Sequence, residues 1–449
     1  MNPSRVFFLI KTTAPFVLGV LLLNLSPFLN ACFLVPLGAK DLSVLGTLNM
    51  LLFFPETIAY AISYSIQSLS ARSESEGEVY SNLLHGTVIA FALILPVCSC
   101  LYMALPLLFH ALIPSIHFSD INKTALYLLL LAFFAKCIIL LLRGFYASKK
   151  HNHLFFMVIA VSTVVQFLLN SLLIHGFGPV RTMGFLGLAW AELLAKLVGL
   201  LIYTFCLYTD YILCPPSLRV LQFNPRIVKR LIAQATPLSI YGILDHYGTL
   251  ILFNYAQSAL TLTQVACLHL SMSVLGCFPG MGFALCSLTM ISRSLSRKKS
   301  HLAKHTGNLM LLLGIGFMTL CGIVFACLLP YWIKYLLHDS QMRSALFLPL
   351  ELCLLTVGLH VACQIAIKSL HAIGAPGYAT TINLLGIYGF RIPAIILLCQ
   401  APKTTLTHFI LILIIEKLLR FVGMYIFWMR FFNRHHLHET NAQLGLKAT

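Results

Sequence analysis

Glu192-Leu193-Leu194-Ala195-Lys196-Leu197-Val198-Gly199 recurs as Glu416-Lys417-Leu418-Leu419-Arg420-Phe421-Val422-Gly423. Each copy sets an acid, a base four residues on and a glycine three beyond that, inside a long apolar segment. The offset of 224 residues (416 − 192) is half of the 449-residue chain. A charged pair in hydrocarbon is costly. Keeping it twice at the same internal place points to two copies of one membrane module.

Composition agrees with a membrane protein. The chain is 59% hydrophobic and only 10% charged, where a soluble domain carries roughly 25% charged residues. Long apolar runs, not short alternating ones, point to helices and away from a β-barrel. The net charge of +17 reads as basic cytoplasmic loops, not as a nucleic-acid surface. The 14 Cys are scattered through apolar segments without C-x-x-C pairs, so neither a disulfide framework nor a metal site is expected. Arg5 and Lys11 ahead of an apolar stretch resemble a signal peptide, but the segment reads as an uncleaved first span.

A spanning helix needs about 20 apolar residues. The punctuation gives spans at 12–36, 42–69, 82–112, 123–147, 153–177, 183–208, 232–258, 263–291, 306–333, 344–372, 377–400 and 404–432. The expected organisation is an N-lobe at 1–208, a linker at 209–231, a C-lobe at 232–432 and a tail at 433–449. Basic residues gather at the N-terminus, after even-numbered spans (Arg72, Lys149, Lys150, Arg226, Lys229, Arg230, Arg293, Arg297 to Lys299) and in the tail. Both termini are therefore expected in the cytoplasm. Six spans per half give the halves one orientation, related by an axis along the membrane normal. In a polytopic membrane protein, repeated halves of this kind fit a transporter.

The chain resembles the multidrug and toxic compound extrusion (MATE) family. The resemblance rests on Leu142-Arg143-Gly144, Asn170 late in span 5, Gly184-Phe185-Leu186-Gly187-Leu188-Ala189 entering span 6, and Arg391-Ile392-Pro393 in span 11. It implies an all-α membrane protein of twelve helices, in two six-helix lobes around a V-shaped central cavity. It also implies export by alternating access, driven by inward protons or sodium ions, from a bacterial inner membrane.

Departures from the family pattern matter. Many members carry an acid in span 1, eight residues before its closing Gly. Counting back from Gly38 gives Asn30, which cannot titrate. An acid four residues after the span-5 Asn is replaced by Ile174. In the other half, the family's acid eight residues after the span-7 Pro falls on Asp245, counted from Pro237, and a span-10 acid position falls on His360.

Asp245 lies roughly 20 Å into span 7 at 1.5 Å per residue, near the midplane. A carboxylate there costs at least ~2.5 kcal/mol and is a functional candidate; the plainer reading is a hydrogen-bonded staple between helices. His360, near the midplane of span 10, is either a proton carrier or a neutral interhelical donor. Together they are the ion-coupling candidates. An Asp–His pair favours protons, because imidazole is a poor sodium ligand.

The remaining cavity candidates are Asn30, Glu56, Asn170, Tyr241, Gln364 and Arg391. Glu56 follows Pro55 and either attracts a cationic substrate or partners a polar group on a neighbouring span. Glu192/Lys196 and Glu416/Arg420 read as structural i, i+4 ion pairs. The expected partners are a small amphipathic organic substrate, with a cationic one as a candidate, H+ or Na+, and membrane lipid. No cofactor is implied, and a monomer is expected. Two rivals stand beside this reading. A flippase for lipid-linked precursors would need cavity cations, for which Lys136 and Lys196 are the N-lobe candidates. A membrane enzyme would need a catalytic set, and the sequence has no H-E-x-x-H and no G-x-S-x-G.

Overall fold

The structure is a computed structural model. It describes residues 3–34, 39–112, 123–149, 151–176, 181–213, 222–336, 340–401 and 404–443. Gly38, residues 214–221 of the linker and the tail from 444 lie outside the described residues. The described residues form helices and connections, without a strand.

The first half holds α1 (Pro3–Leu34), α2 (Ala39–Arg72), α3 (Glu76–Leu112), α4 (Lys123–Ser148), α5 (Asn152–His175) and α6 (Phe185–Leu213). The second half holds α7 (Pro225–Ala259), α8 (Leu262–Cys277), α9 (Gly280–Ser296), α10 (Ser300–Leu336), α11 (Ser340–Leu355) and α12 (Val357–Ala372). It ends with α13 (Pro376–Leu384), a π-helical stretch Leu385–Arg391, α14 (Ile392–Cys399) and α15 (Leu406–Gln443).

Two helices predicted as single spans are bent. α8 and α9 meet at 40° and α11 and α12 at 45°. The first break falls at Phe278-Pro279, where proline removes a backbone donor and disfavours helical geometry before it. Among the described residues, eight helices are long and apolar enough to cross a bilayer, and the two bent pairs raise the number to ten. The two long helices outside that set are α7 and α15. α7 carries Asp245 and His246; α15 carries Glu416, Lys417 and Arg420 within two turns. Polar residues inside these two segments lower their hydropathy, so eight to ten spans stand where twelve were expected.

Large apolar side chains cover the outside: Leu201 and Leu397 are each 67% exposed. Such a surface suits lipid and not water. The chain is a multi-pass integral membrane protein.

Packing divides the chain into two compact units. One is Leu18–Ser239; the other is Met1–Val17 with Ile240–Thr449. The start of α1 thus packs with the C-terminal half, where Phe16 is fully buried and the Thr13 hydroxyl contacts the Met310 sulfur at 3.8 Å. The first turns of α7 pack with the N-terminal half. In the N-terminal unit, α4 is the central helix, packed on α2 and α6. In the C-terminal unit, α12 packs on α9, α10 and α15.

Candidate functional site

The C-terminal unit holds a connected set of charged groups on α7, α13, α15 and the π-helical stretch. Asp245 projects from α7 with its side chain 37% exposed. Its Oδ1 lies 3.8 Å from Arg391 Nη2 and 3.8 Å from Arg420 Nη1. Both arginines are buried.

Arg420 is fully engaged. Its Nη1 donates to Glu416 Oε1 at 2.6 Å, its Nε to Asn383 Oδ1 at 2.5 Å and its Nη2 to the Tyr241 hydroxyl at 2.8 Å. Glu416 itself is 0% exposed. The π-helical backbone makes room for this guanidinium. A Cβ on Gly386 would stand 2.5 Å from Arg420 Cγ, so any larger residue would displace the arginine stem. The widened turn also ends on Arg391, and π-turns often occur at functional positions. Tyr388 donates from the same turn to the Leu244 carbonyl at 2.8 Å, tying it to α7 next to Asp245.

Arg391 is placed differently. Its Nε and Nη2 are buried without a hydrogen-bond partner. Among the described residues, its one ionic neighbour is Asp245.

His360 and Gln364 stand on α12, apart from this contact set. His360 lies in the electrostatic reach of Lys417 and Arg420. Among the described residues it makes no side-chain hydrogen bond to Asp245, and Gln364 makes no side-chain hydrogen bond. The Asp–His juxtaposition read from the sequence is therefore not a direct contact in this structure. The backbone break at Thr356, one turn before His360, separates the two halves of that span.

The N-terminal unit holds a counterpart built around side-chain amides. Asn30 is the hub. Its Oδ1 accepts from Asn170 Nδ2 at 2.9 Å and from Gln166 Nε2 at 3.0 Å, and its Nδ2 donates to Glu192 Oε2 at 3.1 Å. Ser26 completes the set by donating to Gln166 Oε1 at 2.9 Å. Glu56 pairs with Lys136 at 2.7 Å, with both side chains partly exposed.

The two copies of the repeated run have different partners. Glu416 and Arg420 close on each other, whereas Glu192 is taken by Asn30. Among the described residues, Lys196 has no carboxylate within 4 Å. The i, i+4 contact expected from the sequence thus forms in one copy only; in the other, Glu192 acts on Lys196 from beyond 4 Å while its Oε2 accepts from Asn30.

Two contacts lie near the ends of the N-terminal helices. Lys149 bridges Glu76 and Asp210, at 3.3 Å each. Burial works to lower the Lys149 ammonium; Tyr80, Asp210 and Glu76 together outweigh it and hold it above the ordinary lysine value. His85 Nδ1 donates to the Ser81 carbonyl at 2.7 Å, and its Nε2 accepts from the Asn224 backbone N–H at 2.9 Å.

Residues 15–172 match the MatE family model. Solved structures match over nearly the whole chain. A variant of the Vibrio cholerae MATE transporter VcmN is 17% identical, with 96% of this chain and 98% of that chain covered at a TM-score of 0.86. The fold is that of the MATE transporters. An outward-facing multidrug resistance MATE transporter of the MOP superfamily superposes with a TM-score of 0.85 at 14% identity, covering 97% of each chain. A MOP superfamily transporter from Pyrococcus furiosus, described as having a binding pocket of reverse polarity that suggests a different function, gives 0.85 at 13% identity and 96% of each chain. No curated protein sequence matches the chain. At these identities the MATE likeness is one of fold, so the roles of individual residues rest on the geometry above.

Sequence reasoning singled out Asp245, Arg391, Glu416 and Arg420, and the structure brings them together. It missed Asn383, Gln166 and Lys136 as partners. Gln166 stands one helical turn before Asn170, a spacing that puts both amides on one face and could have flagged it.

Proposed function

We propose that this protein is a secondary-active exporter of small amphipathic organic molecules, working by alternating access as an ion antiporter. The MATE fold supports the transporter class. The observation that carries the coupling is Asp245, a partly exposed carboxylate inside a span, flanked by two buried arginines at 3.8 Å. A cation arriving at Asp245 changes the charge balance of a buried cluster. That is the differential interaction a two-state transporter needs.

Protons fit this site better than sodium. A hard cation seeks several oxygen ligands, and here it would have to settle beside two guanidinium groups. A proton neutralises the carboxylate on the carboxylate's own oxygen and needs no further ligand. The basic loops support both termini in the cytoplasm of a bacterial inner membrane.

A flippase of lipid-linked precursors is the second reading. Lys196, partly buried and without an acid within 4 Å, favours it; the engagement of Lys136 by Glu56 counts against it.

The test is efflux of a cationic dye from proteoliposomes under an imposed proton gradient. Wild type is expected to transport and Asp245→Asn to lose the gradient-driven component. Unchanged coupled efflux in Asp245→Asn removes the site assignment. Efflux that runs on a sodium gradient alone removes the proton reading, and transport of a lipid-linked precursor without dye efflux favours the second reading.

A further inference from the structure

The two arginines beside Asp245 sit at the same distance from it but have different alternatives. Arg420 keeps Glu416, Asn383 and Tyr241 whatever happens at Asp245. Arg391 has buried, unpartnered Nε and Nη2 atoms and no other ionic neighbour among the described residues. Neutralising Asp245 therefore changes little for Arg420 and leaves Arg391 a buried cation without a counter-charge. Such a charge is costly in a low-dielectric surrounding.

The geometry assigns Arg391 as the counter-charge that Asp245 releases when an ion binds, with Glu416 holding Arg420 as a fixed neighbour. This assignment rests on the proposed antiport for its functional meaning, but its physical content is independent of transport. When a proton joins the Asp245 carboxylate, the positive charge left on Arg391 favours a rearrangement that re-solvates or re-pairs it. Arg391 ends the π-helical turn and directly precedes α14, so its movement acts on the backbone of that span. Arg391 is a positioning residue in this scheme; Asp245 is the group that takes the ion.

Thermal unfolding of the purified full chain in detergent tests the asymmetry. Asp245→Asn is expected to lower Tm by about 2 °C or more. Adding Arg391→Gln is expected to recover at least half of that loss, because the uncompensated cation is gone. Adding Arg420→Gln instead is expected to deepen the loss, because Glu416 is then buried alone. No loss in Asp245→Asn overturns the assignment, as does recovery by Arg420→Gln equal to or greater than that by Arg391→Gln.

A second measurement serves if Asp245→Asn does not fold. In proteoliposomes, Arg391→Gln is expected to lower gradient-driven accumulation by a larger factor than it lowers substrate exchange at equilibrium, and Arg391→Lys is expected to bring the ratio back toward wild type. Full coupling in Arg391→Gln overturns the assignment. A wild type without any gradient-driven accumulation removes the transport reading, while the stability pattern still decides the pairing.

Discussion

Asn30 Nδ2 donates to Glu192 Oε2 at 3.1 Å, joining helices α1 and α6 across 162 residues of sequence. Asn30 thereby occupies the N-terminal acid with an amide, and its carbonyl oxygen collects two further amide donors. Asn30→Leu is expected to destabilise the protein by about 1–3 kcal/mol, since it leaves Glu192, Gln166 and Asn170 short of partners. Asn30→Asp is expected to be worse than Asn30→Gln, because it sets a second carboxylate against Glu192. Tm of the purified variants measures both; an Asn30→Asp protein as stable as wild type would contradict the hub.

Glu56 and Lys136 form a second unit to disassemble. Removing one partner leaves a charge inside a span; removing both leaves a neutral pair. Glu56→Gln and Lys136→Gln are each expected to cost more stability than the double variant. A double-mutant cycle measures the coupling, and additive losses would mean that the 2.7 Å contact carries no energy.

Arg143 is 2% exposed and lies 5.3 Å from the centroids of both Tyr60 and Tyr64 while donating to the Ser63 hydroxyl. A planar guanidinium can serve both rings and the hydroxyl; an ammonium cannot. Arg143→Lys is expected to cost about 1–2 kcal/mol. The adjoining Gly144 lets α4 approach the Ser63 carbonyl so closely that a Cβ has no space. Gly144→Ala is expected to lower Tm more than Arg143→Lys, and the reverse order would show that the helices can part at little cost.

His85 holds the entry to α7. A carbonyl can only accept and a backbone N–H can only donate, so Ser81 and Asn224 fix the imidazole as a neutral ring protonated on Nδ1. Asn224 in turn accepts from the Arg226 N–H through its Oδ1 at 3.0 Å, starting α7. His85→Phe is expected to raise hydrogen exchange at residues 223–228 several-fold, whereas His85→Gln, which keeps an acceptor, is expected to raise it less. Equal exchange in all three proteins would rule out the anchor.

The fold could be read from the sequence because the apolar runs are long and their interruptions few. Among the described residues helices stand where the spans were read, eight to ten of them long and apolar enough to cross a bilayer, and the bend at Pro279 falls at a residue that disfavours helix continuation. The bend at Thr356 was not legible, since no proline stands there. The π-helical stretch Leu385–Arg391 was not read either, although Pro393 just beyond it cannot donate to the Gly389 carbonyl inside it. Asp245 stood out because a carboxylate within an apolar segment is rare. Arg391 and Arg420 were singled out too, but not their place beside Asp245, since they lie 146 and 175 residues away (391 − 245; 420 − 245) and spacing says nothing at that range. The Glu192/Lys196 pair shows the opposite hazard. Helical spacing correctly puts acid and base on one face, yet Asn30 offers Glu192 a donor that the local pattern does not reveal.

The polar load on α15 has a consequence for how the chain is made. A Lys or Arg near the middle of an isolated helix opposes insertion by about 2.5–3.5 kcal/mol, and α15 carries Lys417 and Arg420 beside Glu416. Its polar partners Tyr241 and Asn383 precede it in the chain. Docking on them is expected to offset a cost that its own partitioning does not: fused alone to a topology reporter, α15 would be a poor anchor.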